Sequence, residues 1–388
     1  MEGPIPVKRI AAKKLATSSG TLADPIITID GDRILEISTQ AAQEIAHIDY
    51  HFPEDTITAG FLDIHFHGIA GHDVMNASPN GFREIGHSLA RAGVSRFLPT
   101  TVTALLDTTL AALDRMADYI EADPPTGSSQ ATGIHIEGPF LSHDKRGMHP
   151  AEHLLLPTPR LLDQLWQASR GNIRLMTIAP ELPGALETIE HASALGIRPS
   201  MGHSMATQAE AIAGIMSGVV SATHTFNAMR PFDHREPGIL GVVLDRDDMY
   251  ADLICDGYHV APEAVRLWLK AKGPERAILI TDCLSAAGMP NGECITGDTL
   301  VHVEGDTCRT ETGVLAGSVI TLDRAVANLR RFTHAELHTA ARLASLNPAR
   351  MLGLPEPLTP GALADFNIYD ADGSRRQSFM RGTLLALS

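Results

Sequence analysis

The chain has 388 residues, 44% hydrophobic and 20% charged, with a formal net charge of −15. That length exceeds one small core, so a large domain with a smaller companion is expected. No run of about 18 apolar residues marks a membrane span, the N-terminus lacks the apolar stretch of a secretory signal, and the acidic balance opposes a nucleic-acid partner, whose phosphates demand a basic face. Cys255, Cys283, Cys294 and Cys308 form no Cys-x-x-Cys pair, which fits a reduced, cytoplasmic setting.

In chain order, residues 1–7 carry no assignable role. Residues 8–49 hold short alternating runs, Ile26-Ile27-Thr28-Ile29 and Arg33-Ile34-Leu35-Glu36-Ile37, split by a turn at Asp30-Gly31-Asp32. Eight β-rich runs follow at 57–68, 95–101, 131–138, 174–180, 197–203, 219–224, 249–257 and 276–282. Amphipathic helical patterns lie between most of them, at 82–92, 107–120, 159–169, 184–195, 207–217 and 262–272. Strand–helix alternation implies a parallel sheet with helices outside, and eight units imply an α/β fold of the TIM-like (β/α)₈ barrel type. Residues 291–315 read as a β-hairpin excursion, 319–332 and 335–346 as helices, and 364–387 as closing strands. The two ends are too short to fold alone. They are expected to pair into a small β-sandwich domain, 1–56 plus 355–388, beside a barrel spanning 57–354.

Barrel strands are buried on both faces and should be apolar, so polar residues at their C-terminal ends stand out, because that rim carries the active site. The first run ends in His65-Phe66-His67, whose i, i+2 spacing puts both imidazoles on one side of a strand. Such a pair also arises by chance; the other rim residues raise its weight. The third run ends in Glu137, the fifth in His203, the sixth in His224 and the eighth in Asp282, while the seventh leads to Asp256 and His259. Imidazoles and carboxylates on one rim suit a first-row divalent metal. An acid at a strand end also caps a following helix, but Glu137 is followed by Gly138-Pro139. Asp282 could instead serve a buried ion pair. His135 reads as a packing or supporting residue.

These residues resemble the amidohydrolase superfamily, and within it the family of N-acetylglucosamine-6-phosphate deacetylases. The carriers include Gly60-Phe61-Leu62-Asp63-Ile64-His65-Phe66-His67-Gly68, Lys145-Arg146-Gly147-Met148-His149, His224-Thr225-Phe226-Asn227-Ala228-Met229, Arg235-Glu236-Pro237-Gly238 and Leu315-Ala316-Gly317-Ser318. The resemblance implies Glu137, His203 and His224 as ligands of one divalent metal, and His65 and His67 as ligands of a second that only some members bind. It implies Asp282 as the acid/base beside the metal, and substrate contacts at Met148, His149, Asn227, Ala228, Arg235, Asp256, His259, Leu315, Ala316 and Gly317. It also implies a homodimer, with part of a phosphate site supplied by the neighbour.

The chemistry follows from the residue types. A divalent cation lowers the pKa of its water from 15.7 toward about 7 and polarises a carbonyl. Asp282 is expected to take the water's proton and return it to the leaving nitrogen, while His149 donates to the acetyl oxygen. Arg235 offers a planar fork for phosphate, or a surface ion pair within Asp233-His234-Arg235-Glu236. The ligand set accepts zinc, iron, manganese or cobalt, one or two per subunit. The expected substrate is a sugar phosphate. A galactosamine isomer, another metal amidohydrolase acting on an N-acyl substrate, and a non-catalytic relative remain as alternatives.

Overall fold

The computed structural model describes residues 7–40, 47–296 and 299–386. Of the role-less start, 1–6 lie outside the described residues, as does the tip of the last apolar run at 387–388.

Eight strands form the barrel: Phe61–Phe66, Val94–Thr101, Ile134–Glu137, Ile173–Ile178, Arg198–Met201, Ser221–Ala222, Tyr250–Ile254 and Ala277–Ile280. Each pairs in parallel with the next. The ring closes just beyond the eighth strand, where the Asp282 N–H donates to the His65 carbonyl at 2.9 Å and Phe66 bridges Cys283. Helices cover the outside, and their starts follow sequence rules. Ser78 Oγ accepts from the Gly81 N–H at 3.1 Å, and Thr207 forms a capping box with Glu210. The helix Gly238–Asp245 is an addition to the expected ones. Its sequence GILGVVLD is apolar almost all round, so it has no polar face to reveal a helical period.

The sequence predicts one barrel strand over 57–68. The structure breaks it at Gly60. Tyr50–Ala59 belongs to the terminal sheet, and only Phe61–Phe66 joins the barrel. A Cβ on Gly60 would lie 2.7 Å from Ser95 Oγ, so glycine lets the chain pass between the two sheets.

Both ends of the chain build that terminal sheet. Its order is Thr383–Ala386, Arg375–Met380, Phe366–Tyr369, Tyr50–Ala59, Lys8–Thr17, Pro25–Asp30 and Arg33–Thr39, with Gly20–Ala23 added on Lys8–Thr17. One face closes over its own core of Ile10, Leu15, Ile27, Ile34, Ile57, Phe366, Ile368 and Phe379. The expected hairpin after strand eight is a three-stranded antiparallel sheet, Gly292–Thr296, Thr299–Glu304 and Thr307–Thr310. The expected helix 335–346 is two, Leu337–Leu343 and Leu346–Leu352. No helix among the described residues is long and apolar enough to cross a membrane.

Candidate active site

His65 and His67 leave the first strand together, with their Nε2 atoms 3.1 Å apart. Glu137, at the end of strand three, lies between them and the histidines opposite. Its Oε1 is 3.3 Å from His65 Nε2, 3.3 Å from His203 Nε2 and 3.1 Å from His224 Nε2, and its Oε2 is 3.3 Å from His67 Nε2. His203 and His224 meet at 3.0 Å, and Asp282 Oδ1 lies 3.0 Å from His67 and 3.4 Å from His65. All six are buried.

Local backbone aims these side chains inward. His203, His224 and Asp282 each sit two residues beyond the end of a strand, at φ of +47°, +32° and +51°. Left-handed backbone at a non-glycine residue costs roughly 1–3 kcal/mol and needs support. Asp252, inside strand seven, accepts the His224 N–H. The Ser142 N–H donates to the His203 carbonyl at 2.9 Å, and Glu181 accepts from Ser204 Oγ at 2.6 Å and from the Met205 N–H at 2.7 Å.

Hydrogen bonds to the far ring nitrogens decide what each imidazole offers. His67 Nδ1–H donates to the Thr100 carbonyl at 3.0 Å, and His203 Nδ1–H to the Lys145 carbonyl at 2.7 Å. Each Nε2 therefore presents a lone pair to the centre, the arrangement usual for metal-bound histidine. Several lone pairs and two carboxylates crowded within hydrogen-bond range repel one another unless a cation sits among them, so the donor set fits a divalent metal. Two overlapping groups of donor atoms lie within 4.8 Å of one another: His65, His67, Glu137 and Asp282, and Glu137, His149 and His203. Glu137 is common to both.

His149 differs. Its Nδ1 accepts the Thr103 N–H at 3.2 Å and lies 2.9 Å from Thr103 Oγ1. That puts the proton on Nε2, which points at Glu137 Oε2 from 3.5 Å. Burial holds this imidazole below its ordinary pKa, so the ring is neutral and its Nε2–H is available as a donor. Burial pushes Glu137 and Asp282 up, but the attraction of His65 and, where the surrounding rings are protonated, their hydrogen bonds outweigh it and hold both carboxyls below the usual range. His135 lies beneath the cluster, between the Ile64 carbonyl at 3.1 Å and Thr177 Oγ1 at 2.8 Å, stacked edge-on against His65.

Above the cluster opens a cleft of about 330 Å³. Met148, His149, Asn227, Ala228, His259, Leu315 and Gly317 line it together with His67, Glu137, His203, His224 and Asp282. Asp256 stands behind this wall. Its Oδ2 takes His259 Nδ1–H at 2.6 Å and its Oδ1 the Tyr258 and His259 N–H groups at 2.8 Å, which fixes the His259 ring. Ala316 is buried against Leu284 and Val301, so it supports the wall rather than lining it. Arg235 is exposed on the loop before the helix Gly238–Asp245 and does not line the cleft of its own chain, nor does its guanidinium pair within the described residues.

Sequence reasoning does not single out Asp252, Thr100 or Thr103. An acid inside the apolar run Tyr250-Ala251-Asp252-Leu253-Ile254 is the available signal for the first. Burial pushes Asp252 up to about 7 and Asp63 up to about 6; Asp63 accepts Thr281 Oγ1 at 2.6 Å and pins strand eight to strand one.

A closed (β/α)₈ barrel with this rim of histidines and acids defines a class of metal-dependent hydrolases. The Amidohydrolase family matches residues 56–382, and the chain belongs to it. The chain is similar to the N-acetylgalactosamine-6-phosphate deacetylase of Escherichia coli O157:H7, 35% identical over 97% of this chain and 98% of that one. It is also similar to the N-acetylglucosamine-6-phosphate deacetylase of Lysinibacillus sphaericus, 36% identical over 84% of each chain. Among solved structures, a Mycobacterium smegmatis N-acetyl-D-glucosamine-6-phosphate deacetylase variant in complex with N-acetyl-D-glucosamine-6-phosphate superposes with a TM-score of 0.92, at 31% identity over 97% of this chain and 99% of that one. The Thermotoga maritima N-acetylglucosamine-6-phosphate deacetylase gives a TM-score of 0.87 at 32% identity, over 97% and 99%.

Proposed function

We propose that this amidohydrolase removes the acetyl group of N-acetyl-D-glucosamine 6-phosphate, releasing acetate and glucosamine 6-phosphate in amino-sugar catabolism. The observation that carries the reading is the convergence of four imidazoles on Glu137, with Asp282 and the donor His149 beside them at the floor of one cleft. Relatives named as deacetylases of 6-phosphorylated N-acetyl sugars supply the substrate class.

Glu137, His203 and His224 would hold one divalent cation, zinc, iron, manganese or cobalt, and His65 and His67 a second. Bound there, the metal would polarise the amide carbonyl and acidify a water. The chain does the rest. Asp282, kept ionised by its neighbours, accepts the proton of the attacking water and delivers it to the leaving nitrogen. His149 Nε2–H donates to the acetyl oxygen as negative charge grows there. Asn227 and Ala228 face the sugar, and His259, fixed by Asp256, faces its phosphate. Exposed Arg235 is available to the phosphate site of a second copy, consistent with a homodimer in a reducing, cytoplasmic compartment.

The test is acetate release from N-acetylglucosamine 6-phosphate, N-acetylgalactosamine 6-phosphate, the unphosphorylated sugars and N-acetyl amino acids, with metal analysis of the same preparation. Equal turnover of phosphorylated and unphosphorylated sugars would sink the phosphate reading. The galactosamine isomer is the second reading, favoured by the 97% span of the Escherichia coli relative.

A further inference from the structure

We propose that a second cavity, at the opposite end of the barrel from the metal cluster, binds a small multiply charged anion through Arg96. This cavity, of about 540 Å³, lies between the N-terminal ends of the first strands and the segment 354–365 that leads from the last helix into the terminal sheet. Small-molecule sites run about 300–1,000 Å³, so it accommodates a sugar-phosphate-sized ligand.

Its polar lining is unbalanced. Arg96 rises from strand two, between Leu62 and Gln130 on the neighbouring strands. No hydrogen bond or ion pair among the described residues holds its guanidinium, and burial lowers its pKa against the attraction of Asp365. Thr132 Oγ1, on the same wall, is buried without a partner. Arg33 lines the opposite side, with one of its nitrogens on the Gly361 carbonyl at 2.8 Å. The two acids present are already engaged: Asp365 accepts the Arg381 N–H at 2.7 Å, and Glu356 pairs with Arg350 at 2.7 Å. Arg96 is half-buried and lines the cavity with an unpaired guanidinium, whose planar fork of donors suits an anion there. A phosphate or carboxylate group bridging Arg96 and Thr132 Oγ1 would satisfy both, and it would tie barrel to terminal sheet, because Arg33 belongs to the latter.

The experiment is thermal unfolding and calorimetry of the full chain in chloride buffer, with inorganic phosphate or citrate added at constant ionic strength. We expect one anion per chain and a rise in Tm of several degrees. His259→Ala should keep the rise, separating this cavity from the phosphate end of the cleft. Arg96→Met should abolish it, while melting no lower than wild type in chloride alone, and Thr132→Val should weaken it several-fold. If phosphate and citrate act no differently from chloride, or if the rise survives in Arg96→Met, the proposal fails. If Arg96→Met does not fold, Thr132→Val decides instead: an unchanged rise in that variant overturns the proposal, and a weakened one supports it.

Discussion

The two ends of this barrel bury charge in opposite ways. At the C-terminal rim, carboxylates and imidazoles of six residues crowd one point, each already within 3.0–3.4 Å of another. At the N-terminal mouth, Arg96 stands without a hydrogen bond among the described residues, beside acids each engaged by another arginine residue. The rim is a cluster of ligands suited to a cation, and the mouth is a cation suited to a ligand. The contrast teaches that burial alone does not mark an active site. What marks it is convergence, with the His67 and His203 rings held in a chosen tautomer by backbone carbonyls.

The largest effect is expected at Asp282. Asp282→Asn should leave metal content unchanged and lower acetate release by on the order of a thousandfold or more, because proton transfer and the charge beside the water are lost together. Near-wild-type turnover would remove the proton-carrying role. Next, replacing both His65 and His67 with Ala should lower the metal count per chain by one wherever two ions bind. An unchanged count would mean that they hold no ion of their own.

Thr103→Val probes the tautomer of His149. It removes the hydroxyl contact while the Thr103 N–H still donates, so a loss of about tenfold in kcat with little change in KM is expected. A rise in KM alone would make His149 a binding contact rather than an oxyanion donor.

The remaining effect lies at the mouth and falls on stability rather than turnover. Burial pushes Asp365 up to about 6, against hydrogen bonding from the Arg381 N–H and the attraction of Arg96. A carboxyl raised in the folded state holds its proton more tightly folded than unfolded. That stabilisation is complete below the unfolded value near 4 and is lost as pH rises through about 6, a fall of about 3 kcal/mol. Asp365→Asn should flatten this fall, and urea unfolding between pH 4.5 and 8 would read it. A variant that follows the wild-type slope would place the dependence elsewhere.

Much of the rim is legible from sequence because ligand chemistry admits few residue types and barrel strands are otherwise apolar. His65, His67, Glu137, His203, His224 and Asp282 stand out against Val, Ile, Leu and Ala. Their supports are not legible. Thr100 and Lys145 act through carbonyl oxygens, which carry no residue signature, and Thr103 reaches His149 across 46 positions of chain. Asp256 and Ala316 lie behind the wall, because a substrate-site motif includes residues that hold its shape as well as those that face the cleft. The break at Gly60 is hidden because an apolar run reads alike on either side of a change of sheet.

The shared terminal sheet has a consequence for synthesis. Tyr50–Ala59 takes its neighbour Phe366–Tyr369 from the far end of the chain, and Asn367 Nδ2 reaches the Ala59 carbonyl across 308 residues. A ribosome therefore exposes the strands Lys8–Thr17 and Tyr50–Ala59 long before Phe366–Tyr369 emerges. During that interval Ala59 and Ile57 present an unpaired edge, the kind of surface that chaperones shield and that domain swapping exploits. Truncation of the last few dozen residues would leave that edge open in the finished protein, far from the chemistry yet decisive for its yield.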